Sequence, residues 1–158
     1  MKKILSIMFM ALLLQMPLVA GATTLQQGSV VVVQPQKLVD ADDYKEGDTV
    51  KFLVLQPVKV NGEIVIKSGT EVLATVVKKK NNFIFGVPGE IQLDNFHIYT
   101  KDNEIIRLRG SVIDKGEGKY WAHIGWFFLF PILFVKGNDG KIQANTNHTL
   151  FTLEDINL

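Results

Sequence analysis

Apolar and polar residues alternate along most of this chain in short runs that end at Gly, Asn, Pro or Asp, the pattern of strands joined by turns. Val50, Phe52 and Val54 alternate with Lys51, Leu53 and Leu55, which predicts a strand in a mostly buried setting. Before them, Gly28 to Val33 carries four consecutive valines that suit a strand, and Pro35 is expected to break it. Asp40 to Asp48 reads as an acidic loop, and Pro57 as a bend or an edge. Val58–Val60 and Glu63–Ile66 flank Asn61-Gly62, the dipeptide best able to adopt the positive φ angles of a tight hairpin turn.

Further along, Ser68-Gly69-Thr70 turns the chain into a strand over Val72 to Val77. A hairpin tip at Asn81-Asn82 then predicts a return through Phe83 to Phe85, and Val87-Pro88-Gly89 marks another turn. Two strands, Ile91 to Tyr99 and Glu104 to Val112, bracket Lys101-Asp102-Asn103. Arg107 and Arg109 alternate with Ile106 and Leu108, so one face meets water. A loop at Lys115 to Gly118, an apolar segment and a loop at Gly137 to Gly140 precede strands near Ile142 and Leu150–Leu153. Nowhere beyond the first residues do apolar positions keep helical spacing for twelve residues. The prediction is an all-β fold, an antiparallel β-sandwich or small barrel of about 8–10 short strands. An echo between Ile66-Lys67-Ser68-Gly69-Thr70 and Ile142-Gln143-Ala144-Asn145-Thr146 reads either as a duplicated turn, Gly69 and Asn145 being the residue types that best tolerate a left-handed backbone, or as a chance similarity.

The opening residues depart from this pattern. Lys2-Lys3, an apolar run from Ile4 to Leu14 and the small residues of Ala20-Gly21-Ala22 have the three parts of a cleavable export signal, with the cut after Ala22. The run is too short for a membrane span, which needs roughly 20 apolar residues, and Gln15 and Pro17 interrupt it. The chain therefore divides into a signal at 1–22, a polar leader with one strand and the acidic loop at 23–46, and a single β-domain at 47–158. The expected location is the periplasm or the outer-membrane surface. Cysteine is absent, which excludes disulfides and a lipidated cysteine after the signal.

A second uncharged run, Ile124 to Val135, is broken by Pro131 and as a helix would reach only about 18 Å, short of a hydrocarbon core. It reads as two core strands bent at Pro131, as a wedge dipping into a bilayer, or as a surface covered by a partner protein. On the interaction readings, Trp121, Trp126, Phe127, Phe128, Phe130, Leu133 and Phe134 form the contact surface, the indoles suiting a membrane interface.

Charge adds little. The chain has 17 basic and 16 acidic side chains, and loss of Lys2 and Lys3 leaves 15 against 16, a balance that gives no affinity for nucleic acid. His97, His123 and His148 lie far apart without metal-ligand spacing, and Ser29, Ser68 and Ser111 have no nucleophile-elbow setting. Asp40, Asp42, Asp43, Glu46 and Asp48 are acidic enough for calcium. Tyr44 and Lys45, however, occupy positions where a calcium loop needs a ligand and a glycine. Lys78, Lys79 and Lys80 suit either an anionic lipid or a solvated guard at a strand edge. Asn147-His148-Thr149 matches a glycan acceptor, which matters only in a eukaryotic host.

The order Gly47-Asp48-x-Val50-x-Phe52, Val58-x-Val60-x-Gly62-x-x-Val65-Ile66-x-x-Gly69-Thr70, Gly86-x-Pro88-Gly89-Glu90-Ile91 and Ile106-x-Leu108 resembles small exported bacterial β-domains. More distantly it is similar to the outer-membrane-proximal β-domain of TrbI-like subunits of conjugation and type IV secretion channels. The likeness covers roughly Gly47 to Val135. The chain departs from that family in having an export signal for an inner-membrane anchor, no long Pro-rich spacer, and a shorter, proline-broken apolar run. The resemblance implies an envelope β-domain with an apolar protrusion and transfers no site residue. The combined expectation is a non-enzymatic exported protein, without cofactor or metal, acting on an envelope partner or membrane surface. The alternative is a carrier holding a lipid or small apolar ligand among Phe52, Phe83, Phe85 and Phe96.

Overall fold

The structure, a computed structural model, describes residues 23–83, 87–100, 104–118 and 136–157. Its strands are β1 (Thr24–Leu25), β2 (Val30–Pro35), β3 (Val39–Asp40), β4 (Thr49–Val54), β5 (Val58–Val60), β6 (Glu63–Ile66) and β7 (Glu71–Lys80). They continue with β8 (Glu90–Tyr99), β9 (Ile105–Arg109), β10 (Val112–Lys115), β11 (Lys141–Ile142), β12 (His148–Thr152) and β13 (Ile156–Asn157). One 3-10 turn, Ala41–Asp43, follows β3.

Six strands close an antiparallel barrel in the order β8-β7-β4-β2-β12-β9, with β9 returning to β8. Of the two architectures predicted, the barrel is therefore the one formed. Its wall follows the alternation: Val31 and Val33 of β2, Val50, Phe52 and Val54 of β4, and Val72, Ala74 and Val76 of β7 all face inward and are buried. Phe52 and Phe96 meet edge to face at 5.3 Å between centroids, and full burial of each ring contributes roughly 1.5–3 kcal/mol.

Two irregularities shape the closure. In β8, Ile91 and Leu93 face inward and then Phe96 and Ile98 do, a change of parity absorbed by a bulge at Asp94-Asn95. Asn95 takes φ +55, and its N–H donates to Asp94 Oδ1 at 2.8 Å. The first half of β8 then pairs with β10 and the second half with β9. Opposite the bulge, Gly110 separates β9 from β10 at φ +157, and a Cβ there would overlap Leu150 Cδ2.

Several expectations shift in detail. Residues 23–46, read as a leader ahead of the domain, include β2, which hydrogen-bonds β12 on one side and β4 on the other. Pro35 ends that strand, as expected. It is buried as the last residue of β2, opposite Phe52, a position where the missing N–H is tolerated. The return from Asn81-Asn82 is β8, beginning at Glu90; Phe83 makes only an isolated bridge to Val87 and is 61% exposed. Asn61 and Gly62 have φ +52 and +87, the geometry required of the β5–β6 turn. The repeated turn forms twice, through Thr70 N–H to Lys67 O at 3.3 Å and Thr146 N–H to Gln143 O at 3.1 Å. Only Gly69, at φ +80, is left-handed; Asn145 is not.

Candidate functional site at the rim of the barrel

β10 ends at Lys115; the described chain runs on to Gly118 and resumes at Lys136. The outgoing and returning stems touch, since Asn138 N–H donates to Glu117 O at 3.2 Å. Both are sewn to the barrel rim: Gly89 N–H donates to Asn138 O at 3.0 Å, Gly116 N–H to Gly89 O at 3.0 Å, and Ala41 N–H to Gly140 O at 3.0 Å. Asn82 Nδ2 reaches Gly137 O at 3.0 Å and Asp139 Oδ2 at 2.8 Å. Glycine is required by proximity here. A Cβ on Gly116 would overlap the Asn138 carbonyl, and one on Gly137 the Val87 carbonyl. The 17 residues 119–135 thus connect two segments that meet at one point of the rim.

Trp121, Trp126, Phe127, Phe128, Phe130, Leu133 and Phe134, the predicted contact residues, lie outside the described residues, as do His123 and Phe85. What the structure describes is the rim at which residues 117 and 138 meet. Its electrostatics are mixed. Lys141 Nζ lies 2.6 Å from Asp40 Oδ2, and its N–H donates to Asp114 Oδ2 at 2.7 Å. The hydrogen bond from Lys141 holds the Asp40 carboxyl below its usual range, and Asp40 in turn raises the Lys141 ammonium. Lys78 and Lys115 flank Glu90 at 3.2 and 3.9 Å, and the Lys78 hydrogen bond lowers that carboxyl. Asp139 moves the other way: burial first, then the Asp42 charge, push its carboxyl up.

The remaining candidates serve the fold. Glu46 Oε1 accepts from Lys79 N–H at 2.9 Å and Asp48 Oδ2 from Lys45 N–H at 2.7 Å, so two of the acidic-loop carboxylates tie down backbone. Ser29, Ser68 and Ser111 each donate the hydroxyl to a main-chain carbonyl. His97 Nδ1 lies 3.0 Å from Asn95 O, and the ring stands edge-on to Tyr99. His148 faces inward against Phe52, and burial lowers its pKa. Phe52 and Phe96 pack into one another, whereas Phe83 projects outward. Among the described residues no three His, Asp or Glu side chains converge as a metal site, and no helix is long and apolar enough to cross a membrane.

One surface was not foreseen. Val30, Phe151, Leu153, Ile105 and Tyr99 are all exposed large apolar groups, and the register places them across the outer faces of β2, β12, β9 and β8 with Arg107 and Arg109 among them. The period-two pattern marks each as outward-facing, but only strand order makes them neighbours. The chain matches no protein-family model and no curated protein.

Proposed function

We propose that this chain is a non-enzymatic, exported envelope protein whose barrel presents residues 119–135 to an envelope protein partner or a membrane face. The observation that carries this reading is the neck: among the described residues six strands close the barrel, and the glycine-packed segments on either side of 119–135 meet on its rim. A 17-residue segment containing twelve consecutive uncharged residues gains most by burying them against something other than water. The export signal supports delivery to the envelope, and the resemblance to exported bacterial β-domains with an apolar protrusion agrees with it. The carrier reading gains no support from Phe52 and Phe96, which fill the space between them.

The test is co-sedimentation of the mature protein with envelope fractions and with liposomes. Phe128→Asp combined with Leu133→Asp is expected to abolish sedimentation while leaving the barrel's melting temperature unchanged. Unfolding of the double variant would reassign the segment to the core, and undiminished sedimentation would remove it from the contact.

A further inference from the structure

The barrel wall carries its charges unevenly. Over β4, β7, β10 and the first half of β8, bases alternate with acids: Lys51 lies 3.0 Å from Glu71, and Glu90 lies between Lys78 at 3.2 Å and Lys115 at 3.9 Å. Over β2, β12, β9 and the 95–99 half of β8, no Asp or Glu occupies an outward position, and the outward cations are Arg107 and Arg109. Register sets them in rows: Val30, Phe151 and Arg109 lie side by side, then Leu153, Arg107 and His97, then Ile105 and Tyr99.

The carboxylates at the margin of this face leave its charge largely standing. Asp94 Oδ1 accepts from Asn95 N–H, and Glu104 stands outside the strand, ahead of Ile105. Glu154 meets Arg107 at 3.4 Å with both side chains half or more exposed, a pair that adds little and leaves the guanidinium open to another anion. Among the described residues Arg109 makes no ion pair.

Two arginines set among tyrosine, phenylalanine and aliphatic side chains complement a surface that offers anions beside hydrocarbon. A second copy of the chain does not fit, because a two-fold contact would set arginine against arginine. The rows extend about 14 Å across and about 14 Å along the strands, on the order of 200 Å², whereas each side of a stable protein interface buries roughly 800 Å². A fluid bilayer needs no such area, since its headgroups rearrange around a convex wall.

We propose that this face of the barrel rests on an anionic lipid bilayer, with Arg107 and Arg109 pairing with lipid phosphates while Tyr99, Ile105, Phe151 and Leu153 enter the headgroup boundary. The inference rests on the proposed delivery to the envelope only for where such a bilayer is met, and its residues are distinct from 119–135.

The test is sedimentation of the full mature protein with two vesicles, one of phosphatidylcholine and one of equal parts phosphatidylcholine and phosphatidylglycerol. Wild type is expected to bind the mixed vesicles several-fold better, and added salt should shrink that excess. Arg107→Gln combined with Arg109→Gln, both at exposed positions, should lower binding to the mixed vesicles roughly tenfold and leave binding to the neutral ones unchanged. Lys45→Gln combined with Lys80→Gln removes the same charge beside the end of β7, across the ring from β12, and should keep the excess. Phe151→Thr combined with Leu153→Thr should weaken mixed-vesicle binding several-fold even at high salt. Equal binding of wild type to both vesicles, or to neither, overturns the proposal. An excess retained by the arginine variant, an equal loss in the lysine variant, or unchanged binding of the threonine variant overturns it as well. Phe128→Asp with Leu133→Asp tests total sedimentation, whereas the face is read from the excess of mixed over neutral vesicles, so the two readings fail separately.

Discussion

His148 occupies an inward position of β12 next to Leu150, with its ring edge-on to Phe52 at 6.1 Å and its Nε2 buried without a partner. Charging such a ring removes it from water with nothing to receive the second N–H, so burial favours the neutral form. The unfolded chain takes up a proton near the ordinary value of 6.5, and the folded chain does so only at lower pH. Stability attributable to this side chain is thus lost as pH falls from 6.5 toward the lowered value. His148→Phe, which keeps an aromatic ring against Phe52, is expected to remove that part of the acid dependence in urea titrations at stepped pH. An unchanged pH slope would show that His148 is not the responsible group. At the same scale, the acidic residues that look alike in the sequence separate by partner: Asp40 gains Lys141, Asp48 gains a backbone N–H, and Asp139 gains the Asn82 amide. No local pattern distinguishes them, because each partner is brought by another element.

The elements were legible where their determinants are local. Alternation over Val50–Val54 and over Ile106–Arg109 predicts the inward and outward faces that the barrel uses, and Asn61-Gly62 takes the positive φ angles that a two-residue hairpin demands. The break in parity between Leu93 and Phe96 is also written in the chain, but its meaning depends on pairing: the bulge lets β8 serve β10 with one half and β9 with the other. Asn95 carries this bulge in a left-handed conformation that a β-branched residue resists. Asn95→Val should cost about 1–2 kcal/mol in denaturant unfolding, while Asn95→Gly stays close to wild type. Equal losses in both variants would locate the cost in the asparagine side chain instead of the backbone. Phe83 shows the converse limit, since its apolar character suggests a strand and the residue makes an isolated bridge to Val87 with its side chain exposed.

At the scale of the whole molecule, closure is made by pairs distant in sequence: β12 lies between β2 and β9, and β8 joins β7 to β9. Glu117 and Asn138 lie close because the barrel rim holds both stems, so a short connection can span the gap between them. Replacing 119–135 with a short Gly-Ser linker is therefore expected to leave the melting temperature within about 2 °C of wild type, as measured by circular dichroism. Failure of that variant to fold would place residues 119–135 in the core. The sequence by itself determined the all-β class, most strand and turn positions, the absence of disulfides and the presence of an uncharged run, because these depend on side-chain period, backbone conformational preference and composition. Only the tertiary structure decided barrel over sandwich, the place of β2 in the wall, the apolar stripe from Val30 to Tyr99 and the glycine neck. Those features arise from strand order and from backbones approaching within van der Waals contact, and neither quantity is carried by any stretch of neighbouring residues.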